Sequence, residues 1–140
     1  NHEELKHQAI NEQHQKEVLV IPEARLQKRV IQPALLGQLK KDILVKGFNF
    51  KVARFNHQID ASDLTYDNFD QLIQFILAAD FIICTDSLPA HLAYLLKKKH
   101  YIFYPKKGMI NFFTPYAIAN NAIGHFEETD FRFLNNDIAS

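Results

Sequence analysis

With a single cysteine among 140 residues, the chain has no internal disulfide framework. That residue, Cys84, closes the apolar run Phe81-Ile82-Ile83-Cys84 and reads as a small core side chain. Net charge is equally absent: sixteen Lys and Arg balance sixteen Asp and Glu. No global field therefore favours nucleic acid or an anionic membrane, and any basic site must be local. No apolar run approaches the length that crosses a bilayer, and the start shows no signal-peptide pattern. The chain has no internal repeat, no CxxC pair, no GxGxxG and no GxxxxGK(S/T). These absences argue against a zinc ribbon, a dinucleotide dehydrogenase of the usual kind and a P-loop nucleotidase.

What is present is enough chain for one domain with a hydrophobic core of its own. Residues 1–17 are rich in His, Gln, Glu and Asn, with only Leu5 and Ile10 to bury, and read as a polar helix or linker to something upstream. A start at Asn1 rather than Met fits a processed chain or a piece of a longer one. His2, His7 and His14 are spaced five and seven apart, which does not place three imidazoles on one helical face, so no metal is expected there.

From residue 18 the pattern alternates. Val18 to Ile21 is a short apolar run ended by Pro22, the form of a central parallel strand. A basic loop follows, and then a helix with Pro33 in its first turn, Leu35, Leu36, Leu39, Ile43 and Leu44 on one face, and Gly47 as its stop. Phe50 to Phe55 is the second strand, and Ile59 to Tyr66 is either a short edge strand or a connection. Asp67 is positioned to cap a helix whose apolar face is Phe69, Leu72, Ile73, Ile76 and Leu77. Phe81 to Cys84 is the third strand, Leu88 to Lys98 a helix, and His100 to Tyr104 a fourth strand before Pro105. Thr114 and Pro115 can start a short helix, and Ala122 to Phe126 can form a last strand. Strands alternating with amphipathic helices imply an α/β fold: a parallel sheet with helices on both faces and right-handed crossovers.

That architecture gathers the loops after the strands on one edge, where ligands bind. Arg25, Lys28 and Arg29 follow the first strand, His57 the second, Asp86 to His91 the third, and Lys106 and Lys107 the fourth. Lys97 to Lys99 fall at the opposite end, where they complement a helix C-terminus. Thr85 to Ala93 is a strand-to-helix turn, with Asp86 or Ser87 as cap and Pro89 in the first turn. Such a turn is an ordinary helix start and also a ready anion site. Basic or polar groups from four loops on one edge point to a phosphorylated ligand. The aromatic run around Met109 to Tyr116 can wall a base or sugar pocket or bury the sheet edge.

The segment Ala79-Asp80-Phe81-Ile82-Ile83-Cys84-Thr85-Asp86-Ser87-Leu88-Pro89-Ala90-His91-Leu92-Ala93, with the helix before it, resembles the signature of glycosyltransferase family 9, the heptosyltransferase-like enzymes. In that family a strand ends in Asp-Ser/Thr-x-x-x-His-Leu-Ala and opens a helix. Val18 to Pro22 followed by Lys28-Arg29 is similar to the family's first strand and basic loop, and the resemblance covers residues 18–108. It implies a GT-B enzyme with two Rossmann-like halves, of which residues 18–140 would form the C-terminal, donor-binding half. By position, Asp86 would hold sugar hydroxyls, Ser87 and the N–H groups around Leu88 would meet the diphosphate, His91 would support that contact, and Lys28 would neutralise it. Arg25, Arg29 and Lys106 are further candidates for donor binding.

The implied activity is transfer of a heptose-like sugar from a nucleoside diphosphate sugar in bacterial lipopolysaccharide or surface polysaccharide assembly. The same resemblance implies no metal cofactor, no nucleic acid partner, a cytoplasmic location and peripheral contact with a membrane-bound acceptor at the inner membrane. The acceptor site and general base would lie in an N-terminal half, with no catalytic residue in these 140 residues and no transfer by them alone. The competing expectation is a non-catalytic Rossmann-like binding module that meets a partner through the polar N-terminal segment and residues 109–116.

Overall fold

A computed structural model describes residues 15–104, 114–126, 131 and 138. Strands β1 (Glu17–Ile21), β2 (Asn49–Phe55), β3 (Leu64–Tyr66), β4 (Phe81–Thr85), β5 (Lys99–Tyr104) and β6 (Ile123–His125) form one sheet. Its order is β3-β2-β1-β4-β5-β6 and every pairing is parallel. Val20 pairs with Val52 on one side and with Ile83 on the other, which places the two most apolar runs at the centre. Val18 to Ile21 and Phe81 to Thr85 are all buried, as strands covered on both faces must be. The result is a Rossmann-like α/β fold.

Among the described residues four helices cover the sheet: α1 (Pro33–Val45), α2 (Phe69–Ala78), α3 (Leu88–Leu95) and α4 (Pro115–Ala119). The chain moves one way across the sheet from β1 to β3 and the other way from β4 to β6. Right-handed crossovers therefore put α1 on one face and α2, α3 and α4 on the other, and α2 packs against α3. The reversal falls between β1 and β4. Beneath it the core is built from Leu39 and Ile43 of α1, Leu72 and Ile76 of α2, and Phe81, Ile82, Ile83 and Phe103 of the sheet. Each such side chain contributes about 1.5–3 kcal/mol by leaving water.

Several local expectations are corrected. Leu44, assigned to the buried face of α1, is 49% exposed, because that face narrows to Leu35, Leu39 and Ile43. Phe69 and Leu77 of α2 are likewise half exposed. Asn68, not Asp67, caps α2: its side chain accepts the Gln71 N–H at 3.0 Å, while Gln71 reaches back to the Asp67 N–H at 2.7 Å. α3 stops at Leu95 rather than Lys98, since Lys97 turns left-handed (φ 59) and the Lys98 N–H closes onto Ala93 O at 2.8 Å. Lys98 Nζ donates to Ala79 O at 2.7 Å, so it complements the end of α2 instead of its own helix.

The stretch after β2 contains both a connection and an edge strand, β3. Its turn is held by buried Asp63, whose Oδ2 accepts from Arg54 Nε at 2.8 Å and from the N–H groups of Ile59 and Asp60 at 3.0 and 2.9 Å. Burial alone raises that carboxyl's pKa, but these donors outweigh it and hold the group below its ordinary value. Gly47 ends α1 as expected (φ 86), with Phe48 N–H on Ile43 O at 3.2 Å. Thr114 caps α4 as expected, and β6 forms within the predicted last strand. Cys84 is fully buried, and burial, reinforced by the Asp86 charge, pushes its thiol up out of the reactive range. Among the described residues no helix is long and apolar enough to cross a membrane. The expectations for residues 1–14, Pro105 and 109–113 lie outside the described residues.

Candidate functional site

A cleft of about 990 Å³ opens at the carboxyl ends of β1 to β4, across the point where the strand order reverses. It spans three strand intervals, about 14 Å at the usual spacing. One wall is the loop after β1, Glu23 to Leu26 with Arg29; the opposite wall is the start of α3, Asp86 to Pro89. The end beneath β2 and β3 is lined by Phe55, His57, Tyr66, Asn68, Phe69 and Leu72. The cleft is therefore polar at the strand reversal and mostly aromatic and apolar toward the sheet edge.

The loop after β1 is shaped before any ligand arrives. Ile31 N–H closes it onto Pro22 O at 2.8 Å, and a 3-10 turn over Gln27–Arg29 turns Arg29 inward. Arg29 Nη1 donates to Asp86 O at 3.2 Å and lies 3.9 Å from Asp86 Oδ2. That second distance is beyond hydrogen-bond reach. Asp86 is 1% exposed, and its Oδ2 has no hydrogen-bond partner among the described residues. Burial raises the pKa of this carboxyl, with Arg29 and His91 opposing.

Ser87 holds the N-cap position of α3, but its hydroxyl donates to Thr85 O at 3.2 Å rather than receiving a helix N–H, which corrects its expected capping role. Pro89 supplies no N–H, and the Ala90 N–H is taken by Ser87 O at 3.1 Å. The Leu88 N–H is left as the first-turn donor nearest the cleft. With so few main-chain donors, the guanidinium of Arg29 becomes the principal positive group at this end.

Glu23 occupies the junction between the two ends. Its Oε1 accepts the Phe55 N–H at 2.6 Å and its Oε2 lies 3.1 Å from His57 Nε2. His57 Nδ1 sits 2.8 Å from Phe55 O, which fixes the ring between that carbonyl and Glu23. Beyond this latch the rings of Phe55 and Tyr66 meet at 5.6 Å and 55°. Burial, reinforced by the Glu23 charge, pushes the Tyr66 hydroxyl pKa up.

Of the sequence candidates, the fold brings Arg25, Arg29, Asp86, Ser87 and Leu88 together around the cleft, with His57 from the loop after β2. Lys28 and His91 are exposed and do not line it: Lys28 faces outward on the 3-10 turn, and His91 lies one turn into α3. Lys106 is outside the described residues. Glu23, Phe55, Tyr66 and Phe69 line the cleft without having been singled out for it. The signal that could have found Glu23 is its place in the loop after β1, on the edge where the strand carboxyl ends gather. Among the described residues no group of three or more His, Cys, Asp or Glu is arranged to hold a metal ion. Comparison of the chain with protein-family models, with curated proteins and with solved structures found no match.

Proposed function

We propose that the cleft binds a nucleoside diphosphate sugar and that the chain is the donor-binding half of a glycosyltransferase. The buried Asp86 carboxylate carries this reading. An acceptor oxygen held out of water without a hydrogen bond is costly, by about 1–3 kcal/mol or more for a charged group, and a ligand hydroxyl relieves that cost by donating to it. Arg29 and the start of α3 lie beside it and suit a diphosphate. The aromatic end offers flat apolar surface for a base. In sugar transfer, negative charge grows on the departing nucleoside diphosphate, and a preorganised cation and N–H group stabilise it.

The resemblance around Asp86 to Ala93 adds heptose-like donors, surface polysaccharide or lipopolysaccharide assembly and a cytoplasmic, membrane-peripheral setting to this reading. The general base and acceptor site belong to an N-terminal half.

Calorimetric titration of the chain with nucleoside diphosphates and their sugar conjugates tests it. Asp86→Asn is expected to weaken the sugar conjugate by roughly tenfold, the worth of one hydrogen bond to a charged group, and the bare diphosphate far less. Removal of the buried charge is also expected to raise the Tm of the ligand-free protein by about 3 °C. Absence of any nucleotide binding refutes the reading.

A further inference from the structure

His91 belongs to the strand-to-helix segment that marks this chain, yet it does not line the cleft. It sits on the outward side of α3 between two exposed leucines, Leu88 at 49% and Leu95 at 70%, with Tyr94 at 41% beside them. Leu88, His91 and Leu95 recur at i, i+3 and i+7, the spacing of a helix-packing seam. The inward side of the same helix is already filled by Pro89, Ala90, Leu92 and Ala93. α3 is thus apolar on both sides, with no Asp, Glu, Lys or Arg from Leu88 to Leu95. A single exposed leucine needs no explanation, whereas a contiguous apolar surface marks a contact.

α3 lies over β4 and β5, with α2 toward β1 and α4 over β5 on the way to β6. Leu77 of α2 and Ile118 of α4 are exposed on this face too and widen its apolar surface. The charges lie at the two ends of α3 and are opposite in sign. Asp67 and Asp70, both exposed, stand at the start of α2, which shares an edge with the start of α3: Asn68, Phe69, Leu88 and Pro89 line one cleft. Exposed Lys97 follows the end of α3, while Lys98 is held by Ala79 O at 2.7 Å. We propose that this face is a dimer interface whose occupant is α3 of a second copy of the chain, lying antiparallel across a two-fold axis near His91. Leu88 of each copy then packs on Leu95 of the other, Lys97 of each approaches Asp70 of the other, and the two helix dipoles oppose. Parallel packing would set lysine against lysine and acid against acid. The whole chain carries no net charge, so two copies meet without long-range repulsion. The interface does not depend on what the cleft binds, although Leu88 belongs to both and places the dimer at the lip of each cleft.

Sedimentation velocity of the unmodified chain over a dilution series tests this. The expected result is a reversible monomer–dimer equilibrium with a Kd of about 1–100 μM, the weak end for an interface built on one short helix. Leu95→Asp is expected to raise that Kd by about tenfold or more, because it places an unpaired charge in the seam. At 70% exposure Leu95 is no part of the monomer's core, so the variant folds and its effect reads the interface. Asp70→Lys and Lys97→Glu are each expected to weaken the dimer by about threefold, and the double variant to recover it. A chain that stays monomeric up to about 1 mM overturns the proposal. So does one that stays monomeric and sediments with phosphatidylglycerol vesicles, which would make the face a membrane contact. A dimer that Leu95→Asp leaves intact overturns the choice of face, and a double variant that fails to recover overturns the antiparallel arrangement.

Discussion

Arg29 Nη1 donates to the main-chain oxygen of Asp86 at 3.2 Å and stays 3.9 Å from its carboxylate, so the guanidinium is tied to the backbone of Asp86 more closely than to its charge. The two residues are 57 positions apart in the chain and meet because β1 and β4 are neighbours at the reversal of strand order. This contact joins the two walls of the cleft and places a fixed cation beside a buried anion. A ligand with a phosphate and a hydroxyl can use both.

Arg29, not its neighbour Lys28, is therefore expected to carry phosphate binding. Arg29→Ala should weaken nucleoside diphosphate affinity by about tenfold or more, in line with 1.5–3 kcal/mol for a charge-assisted hydrogen bond. Lys28→Ala should change it by less than about threefold, the effect of a solvent-screened charge. Arg29→Lys should not restore binding, because a point charge cannot hold the Asp86 carbonyl and a phosphate in one planar fork. Titration of the three variants decides this, and a larger loss from Lys28→Ala would reverse the assignment.

His100 makes stability depend on pH in one direction. It is fully buried; Nδ1–H donates to Lys98 O at 2.9 Å and Nε2 accepts from the Thr114 hydroxyl at 2.5 Å. Burial pushes its pKa below the ordinary histidine value, with the Lys98 carbonyl opposing. Above about pH 6.5, the usual value for an unfolded histidine, folded and unfolded rings are both neutral and this contribution is fully present. Below that the unfolded ring protonates first, so stability falls until the pH passes the folded value. Urea unfolding at pH 7.5, 6.5 and 5.5 should show the fall, and His100→Gln should flatten it.

The left-handed residues that end α1 and α3 give a paired prediction. Gly47 has φ 86 and open space around the position of a Cβ, so Gly47→Ala meets only backbone strain and should destabilise by about 1 kcal/mol. Lys97 adopts φ 59 with a side chain in place. Lys97→Gly should stabilise by a few tenths of a kcal/mol, since relief of strain is partly offset by the greater freedom of glycine in the unfolded chain. Opposite signs in thermal unfolding confirm the pair; a loss from Lys97→Gly would mean that its side chain contributes more than its backbone conformation costs.

Much of this molecule was legible in one dimension. The unbroken apolar runs at Val18 to Ile21 and Phe81 to Cys84 have no polar alternation, which only central, doubly covered strands tolerate, and both lie at the middle of the sheet. Gly47 and Thr114 announced a helix stop and a helix start through local backbone chemistry, and both hold those places. Asp67 misled because Asn68 is an equally good cap one position on, and the choice depended on where Gln71 could reach.

The Asp86 region was marked by its place between a buried strand and a helix, and it does form one wall of the cleft. Which basic side chain faces it was not marked. In a string Lys28 and Arg29 are equivalent, and only the 3-10 turn between Pro22 and Ile31 sends one inward and leaves the other in solvent. The latch of Glu23 with His57 and Phe55 was invisible for the same reason: 32 residues separate the carboxylate from the Phe55 N–H it accepts. The sequence by itself determined the elements, the parallel α/β class and the edge of the sheet at which the cleft opens, because periodicity and capping act over a few residues. The tertiary structure alone decided which charges meet there, because strand order and loop closure bring distant side chains within a hydrogen bond's length.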